Sequence, residues 1–360
     1  MLRAPRFFHR MLRLCFAQRR AGPFAISPFH KYPSVSSRKR GILRRINVLK
    51  YSLKRLARSL LTLVILISII FALLRLMPEE GYFNNYDKMS PTQIDVGLRK
   101  LGLKDPLPVQ IGRYFLNLLK GDLGVSYRYR VNYPITELLK PKIAVSMKFG
   151  LTSMAVSLPL GMALGALMAR SKGRLADKLG NAYIVFIQAV PNAVYFIFIQ
   201  LFGSDWFKLS ILYKAEDWTS MILPVISLAL PSISSYAMWL RRYMVDETNK
   251  DYIKLARAKG VPNTTIWFRH VFRNSVVPMV NLLPGSVLLT ISGSIYVESL
   301  YSVPGMGGLL VDVIRRQDNN MVLALIVIFS SLSILGLLLG DLLMGVVDPR
   351  ITFTKKEGSR

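Results

Sequence analysis

The side chains able to do chemistry in this 360-residue chain are few and scattered. Three histidines, His9, His30 and His270, share no ligand spacing. The one cysteine, Cys15, excludes an internal disulfide and any multi-cysteine metal site. A membrane-embedded enzyme would need His, Asp, Glu or Cys clustered at membrane depth, and the sequence has no such cluster. It also has no GxxxxGK(S/T) phosphate loop, so it does not cradle ATP in that way. What remains is polar groups set in apolar runs: Gln188, Asn192 and Gln200 in one, Asn281, Ser286, Thr290, Ser292 and Ser294 in a second, and Asp341 in a third. A polar side chain in hydrocarbon must find a partner or water. Each of these either bonds between helices or lines an aqueous path. Packing is the ordinary reading for any one of them, but two runs with recurring polar positions suggest a lumen. Gln188, Asn192, Asn281, Ser286 and Thr290 are its candidate lining.

The runs themselves must position those groups. Apolar residues are 52% of the chain, high for a soluble protein of this size. An apolar run from Leu56 to Met77 has an uncharged centre from Ser59 to Leu74. Spanning takes about 20 residues at helical rise, so Arg58 and Arg75 must reach opposite interfaces. Five more uncharged runs follow: Phe149 to Ala169, Leu179 to Ser204, Trp218 to Leu240, Asn274 to Val297, and Asn319 to Gly340. Each is long enough to cross the hydrocarbon, and six crossings put both termini on one face. Gly161 and Gly165 have the spacing that lets helices approach closely, and ordinary packing within one subunit is the favoured reading. Pro224, Pro231 and Pro284 free backbone carbonyls inside their runs.

The net charge of +28 could suggest nucleic acid, but no nucleic-acid-binding signature accompanies it and the basic residues flank the apolar runs. Residues 1–58 hold sixteen Lys or Arg and no acid. This is either a targeting presequence or a cytoplasmic tail beside anionic headgroups. The tail is favoured, because the next run lacks a small-residue cleavage site and is long enough to span. The tail, the 170–178 and 241–273 loops and the C-terminal tail hold 32 of the 48 Lys and Arg. Twelve more lie on the long 75–148 segment, which the positive-inside rule discounts. Both termini and the 241–273 loop are therefore read as cytoplasmic.

That loop is the one long polar stretch in the second half that reads as helix. Met244, Thr248, Tyr252 and Leu255 recur at helical spacing, and Asp246 and Lys250 sit one turn apart in the supporting order. Gly260 offers the left-handed residue that ends helices, and Pro262 bars continuation. Asn263, Thr264 and Thr265 reopen a helix carrying Ile266, Trp267, His270 and Val271 along one side. The expectation is helix, sharp break, helix between two spans. On charge alone, a basic loop lying on anionic lipid fits equally well.

DYIKLARAKG at Asp251–Gly260, followed nine residues later by HVFRN at His270–Asn274, resembles the cytoplasmic EAA loop of ATP-binding-cassette importer permeases, in its peptide-permease version. Where most relatives start with Glu and two Ala, this chain has Lys254, Leu255 and Ala256, and Arg273 stands where a proline would fall. Those departures are similar to the dipeptide/oligopeptide branch. Leu103, Pro106, Leu107 and Gln110, then GDLGVS at Gly121–Ser126, match the same branch. So do Val297-Glu298, VPGMGGLL at Val303–Leu310, Asp341, and Asp348-Pro349-Arg350-Ile351. The matches run from Leu98 to Ile351.

The resemblance implies an all-α polytopic protein of the type I ABC importer permease fold, with six transmembrane helices and an external domain between the first two. The division expected is a basic tail (1–58), a first span (59–77), an extracytoplasmic domain (78–142), a permease core with five spans (143–347) and a short cytoplasmic tail (348–360). It implies a transport subunit of a bacterial inner membrane with no ATPase site and no cofactor of its own. ATP would be used by two cytoplasmic ATPase subunits, a second homologous permease would complete a heterodimer, and an extracytoplasmic peptide-binding protein would deliver cargo. By the resemblance, Asp251, Lys254, Ala256, Arg257, Ala258, Gly260 and His270 form the ATPase-coupling loop. Glu298, Pro304, Gly305 and Gly307 form a tight external turn, and Asp341, Asp348 and Arg350 mark the inner mouth. Asp341 is expected to pair with Arg241 or Arg170. Cargo stays open among dipeptides, longer peptides and nickel complexes. A secondary transporter is the competing class, but it would need internal repeats, and none is visible.

Overall fold

The computed structural model describes residues 37–83 and 85–347, with side chains over 53–83 and 85–344. The termini beyond these bounds, with Asp348 and Arg350, lie outside the described residues. The described chain is helical almost throughout. Helix α1 (Ser37–Arg75) carries the first apolar run, with a spanning part from Leu53 to Arg75. Two short 3₁₀ turns lead to α2 (Pro91–Lys100) and α3 (Leu107–Leu119). Ser90 caps α2 in a capping box with Gln93. A two-stranded antiparallel hairpin, β1 (Val125–Ser126) on β2 (Tyr133–Pro134), pairs Val125 with Pro134 and leads directly into α4 (Ile135–Arg170).

Helix α4 starts well before its uncharged run and carries both Pro141 and Pro159 inside it. It lies along α7 (Ile222–Thr248), and the glycine pair sets the distance. A Cβ on Gly161 would stand 2.7 Å from Tyr236 Cβ, and one on Gly165 would stand 2.7 Å from the Ala237 carbonyl. The small-residue spacing therefore serves packing within this chain.

The third apolar run is not a straight crossing. It forms α5 (Leu175–Ala189) and α6 (Asn192–Phe207), bent by 105° at Val190-Pro191. The residue before a proline is pushed out of the helical region, and Val190 sits at φ −85°, ψ 130°. The fifth run is bent too, by 43°, between the segment ending at α10 (Arg273–Val280) and the one opening with α11 (Leu283–Ser292). Pro284 has no N–H to give the Val280 carbonyl, and its ring crowds that turn. Gly293, at φ +68°, then separates α11 from α12 (Ile295–Leu300). After α13 (Met306–Arg315), the last run forms α14 (Asn319–Val347). Among the described residues, four helices are long and apolar enough to cross alone, and counting each bent pair once makes six.

Loops gather at two ends. At one, Gln200 donates from Nε2 to the carbonyls of Ile211 and Leu300, both at 3.0 Å, and Tyr213 N–H donates to the Tyr301 carbonyl. Buried Asp318 joins them: its Oδ2 accepts from Ser126 Oγ at 2.6 Å and from the Arg128 and Tyr129 amides, fastening the hairpin to the head of α14. At the other end, Arg241 forks onto buried Asp177 with contacts of 2.5 and 2.8 Å, and Gly173 N–H and Asn181 Nδ2 also donate to that carboxylate. The 170–178 and 241–273 loops thus share one end of the bundle.

Candidate functional site

The polar loop between α7 and α11 folds as helix, break and helix, with one more interruption than the periodicity predicts. Helix α7 ends at Thr248, Lys250 is extended (φ −68°, ψ 145°), and a new helix α8 runs over Asp251–Ala258. The break resets the phase. Tyr252 and Leu255, expected to continue the stripe of Met244, are exposed, and Ile253 is buried in their place. Asp246 and Lys250 therefore form no helical pair, and Lys254 instead reaches Asp251 at 3.0 Å. Gly260 has φ +74°, where L side chains are strained, and a Cβ there would meet nothing within 4 Å.

Beyond Pro262 comes one turn, α9 (Asn263–Thr265), and then a π-helical segment over Ile266–Phe272 before α10. The wider winding buries Ile266 and Val271, five positions apart, against Ile253, Met244 and Leu240. His270 is half-buried on that segment, and Ala256 packs inward on the same cluster. Asp251, Lys254, Arg257 and Ala258 face outward, together with the exposed apolar side chains of Tyr252, Leu255 and Phe268. One polar knot ties this knob to the spans. Asn274 Nδ2 donates to Tyr252 Oη at 2.7 Å and to Glu247 at 3.3 Å, and Tyr252 itself donates to Glu247. Arg170 and Arg257 flank a cleft of about 500 Å³ between the knob and the end of α4.

A second feature lies inside the bundle. Helices α4, α7 and α11 enclose a cavity of about 240 Å³. Ser286 and Thr290, two of the candidate lumen residues, line it. Gln188, Asn192 and Asn281 do not. Gln188 and Asn192 sit on the bent α5–α6 pair, where Asn192 accepts from Tyr195 at 2.9 Å. Asn281 lies against Gly340 of α14. Sequence reasoning missed the other wall, where Ser146, Ser153 and Ser157 line one side of α4. Their spacing of seven and four, continued by Gly161 and Gly165, was the available signal. Ser157 Oγ is buried without a protein partner, so water is its natural complement.

Glu298 closes one end of this cavity. The expected turn falls at Ser302, with φ +55°, whereas Gly305 is extended and Gly307 lies in the first turn of α13. The glycines are needed for closeness. Glu298 Oε2 accepts from the amides of Gly307 at 2.7 Å and Gly308 at 3.0 Å, and Oε1 accepts from Ser146 Oγ at 2.7 Å. A Cβ on Gly305 or Gly293 would collide with that carboxylate. A buried carboxylate held by helix N-terminal amides and a hydroxyl needs no cation beside it. The clasp joins α4, α12 and α13.

Asp341 is paired, but with neither expected partner. It meets Arg55 of α1, because α1 and α14 pack side by side and bring the two level. Arg241 is taken by Asp177, and Arg170 lies at the edge of the knob cleft.

A bundle with four to six candidate membrane spans among its described residues, a serine-lined interior and an outward-facing basic knob has the build of a polytopic membrane component. The chain belongs to the family of binding-protein-dependent transport system inner membrane components, whose model matches residues 161–353. It is similar to the oligopeptide transport system permease protein AmiC of Streptococcus pneumoniae, 36% identical over 61% of this chain and 44% of that one. The chain thus spans less than half the length of that relative. It is also 30% identical to the dipeptide transport system permease protein DppB of Lactococcus lactis, over 84% of this chain and 99% of the relative. The glutathione transport system permease protein GsiC of Salmonella paratyphi A is 32% identical over 85% of this chain and all of its own length.

Proposed function

We propose that this chain is one permease subunit of an ATP-driven importer of peptides, and that the serine-lined cavity is its share of the translocation path. The observation that carries the reading is the cavity itself. Ser286 and Thr290 lie in an apolar helix, are partly exposed, and face three more serines across the space. Hydroxyls so placed favour a wet lumen and suit a cargo recognised through its backbone amides. The relatives are named for oligopeptides, dipeptides and glutathione, which are all peptidic.

A second, homologous permease closes the path as a heterodimer, and an extracytoplasmic binding protein delivers the cargo. Two cytoplasmic ATPases seat the knob around Gly260, which puts both termini and the 241–273 loop in the cytoplasm. The segment from 78 to 142 stands outside as a small domain. ATP does its work in those partners, and this chain binds no cofactor. The two states of the gate need differ by only a few kcal/mol for nucleotide to choose between them.

Bulk in the lumen tests the reading. Ser286→Trp and Thr290→Trp should abolish peptide uptake while the subunit still inserts and co-purifies with its ATPases. Wild-type uptake by both variants would move the path elsewhere.

A further inference from the structure

A cavity of about 370 Å³ lies between α1 and α14, near the ends that carry Arg55 and Asp341. Lys54, Arg55 and Arg58, with the hydroxyl residues Ser59 and Thr62, form one wall, and the flank of α14 around Leu338 forms the other. The uncharged part of α1 begins at Ser59, so the cavity straddles the change from cationic turn to hydrocarbon. Arg55 is engaged by Asp341. Lys54 and Arg58 have no acidic partner among the described residues, and both are exposed.

This cavity is separate from the serine-lined one. A Cβ on Gly336 would stand 2.7 Å from Gly285 of α11, so that side of α14 faces the bundle interior. Leu338 lies two positions on, about 200° around the helix, and faces α1 instead. Leu337, beside it in sequence, is 69% exposed. The wall therefore offers two unpaired cations at one level and bare apolar surface at the next. A ligand that suits both has an anionic head and a hydrocarbon tail.

We propose that this is a binding site for an anionic phospholipid. Its phosphodiester sits between Lys54 and Arg58, the Ser59 hydroxyl is at hand to donate to its oxygens (the Thr62 hydroxyl already donates to the Arg58 carbonyl), and an acyl chain lies on α14 over Leu337. Arg55 also lines the cavity, and its pair with Asp341 joins the two helices that the lipid bridges. Basic pockets between membrane helices suit such headgroups, with each Lys or Arg near the surface adding to the attraction.

The test uses the full chain in nanodiscs of phosphatidylcholine containing a minor share of phosphatidylglycerol. Native mass spectrometry after extraction then reads the phosphatidylglycerol retained. Wild type should keep it, and Lys54→Gln with Arg58→Gln should keep roughly thirty-fold less, about fivefold per charge. Lys172→Gln with Lys178→Gln, one on the loop between α4 and α5 and one in the first turns of α5, removes the same charge and should keep the wild-type level. Equal loss in both pairs, or none in the first, overturns the site. Leu337→Glu keeps all three cations and should also lower retention; unchanged retention there would leave only a surface anion site and overturn the lipid assignment. Excess inorganic phosphate should leave the phosphatidylglycerol in place, and its displacement would mean a free-phosphate site instead.

Discussion

Gly260 is where a single residue type decides the geometry of the knob. Its φ of +74° costs an L side chain about 1–2 kcal/mol, and the space beyond its Cα is empty, so strain rather than collision is the penalty. Gly260→Val should leave the subunit inserted and assembled while uncoupling ATP hydrolysis from uptake. Gly260→Asn, which tolerates the left-handed region, should keep more uptake, and a reconstituted uptake assay with ATPase turnover checks both. This position was legible because Gly followed by Val-Pro leaves few alternatives for the backbone. Ile253 was not. The apolar period running from Met244 pointed to Tyr252 and Leu255, and only the extended Lys250 shifts the phase to bury Ile253. Glu298 was read as part of a turn because nothing local reveals that its carboxylate folds inward. The signal lay in Gly293 and Gly305, whose missing side chains make room for it.

At the scale of elements, periodicity and length found every apolar run, and proline chemistry explains where two of them bend. Pairings between distant elements were out of reach. Asp177 and Arg241 are 64 positions apart, and Asp341 lies farther still from Arg55. A buried or half-buried acid needs a cation or a set of donors, but sequence does not say which, or which element supplies it. The α1–α14 contact is testable by exchange. Asp341→Arg alone should destabilise the subunit by placing two cations together at the edge of the apolar zone. Adding Arg55→Asp should restore much of the lost melting temperature, whereas adding Arg241→Asp or Arg170→Asp should not. Rescue by either of the latter would contradict the contact described.

For the molecule as a whole, the two ends of the bundle are built differently. One end is fastened by Gln200, Glu298 and Asp318, each joining segments far apart in sequence. The other carries the basic knob, anchored by Ile253 and by the Tyr252–Glu247–Asn274 knot, with exposed apolar side chains on an otherwise polar loop. Exposed apolar groups in such a setting suit the ATPase contact proposed above. The serine-lined cavity lies between helices α4, α7 and α11, and under the proposed reading force applied at the knob would reach it through α7 and α11. The most direct test places a single cysteine at Ala258, in a chain with Cys15→Ser, and attaches a photo-crosslinker in intact cells. The account predicts crosslinking to an ATPase subunit and protection from a membrane-impermeant thiol reagent added outside. Labelling from outside, or crosslinks to no ATPase, would contradict it.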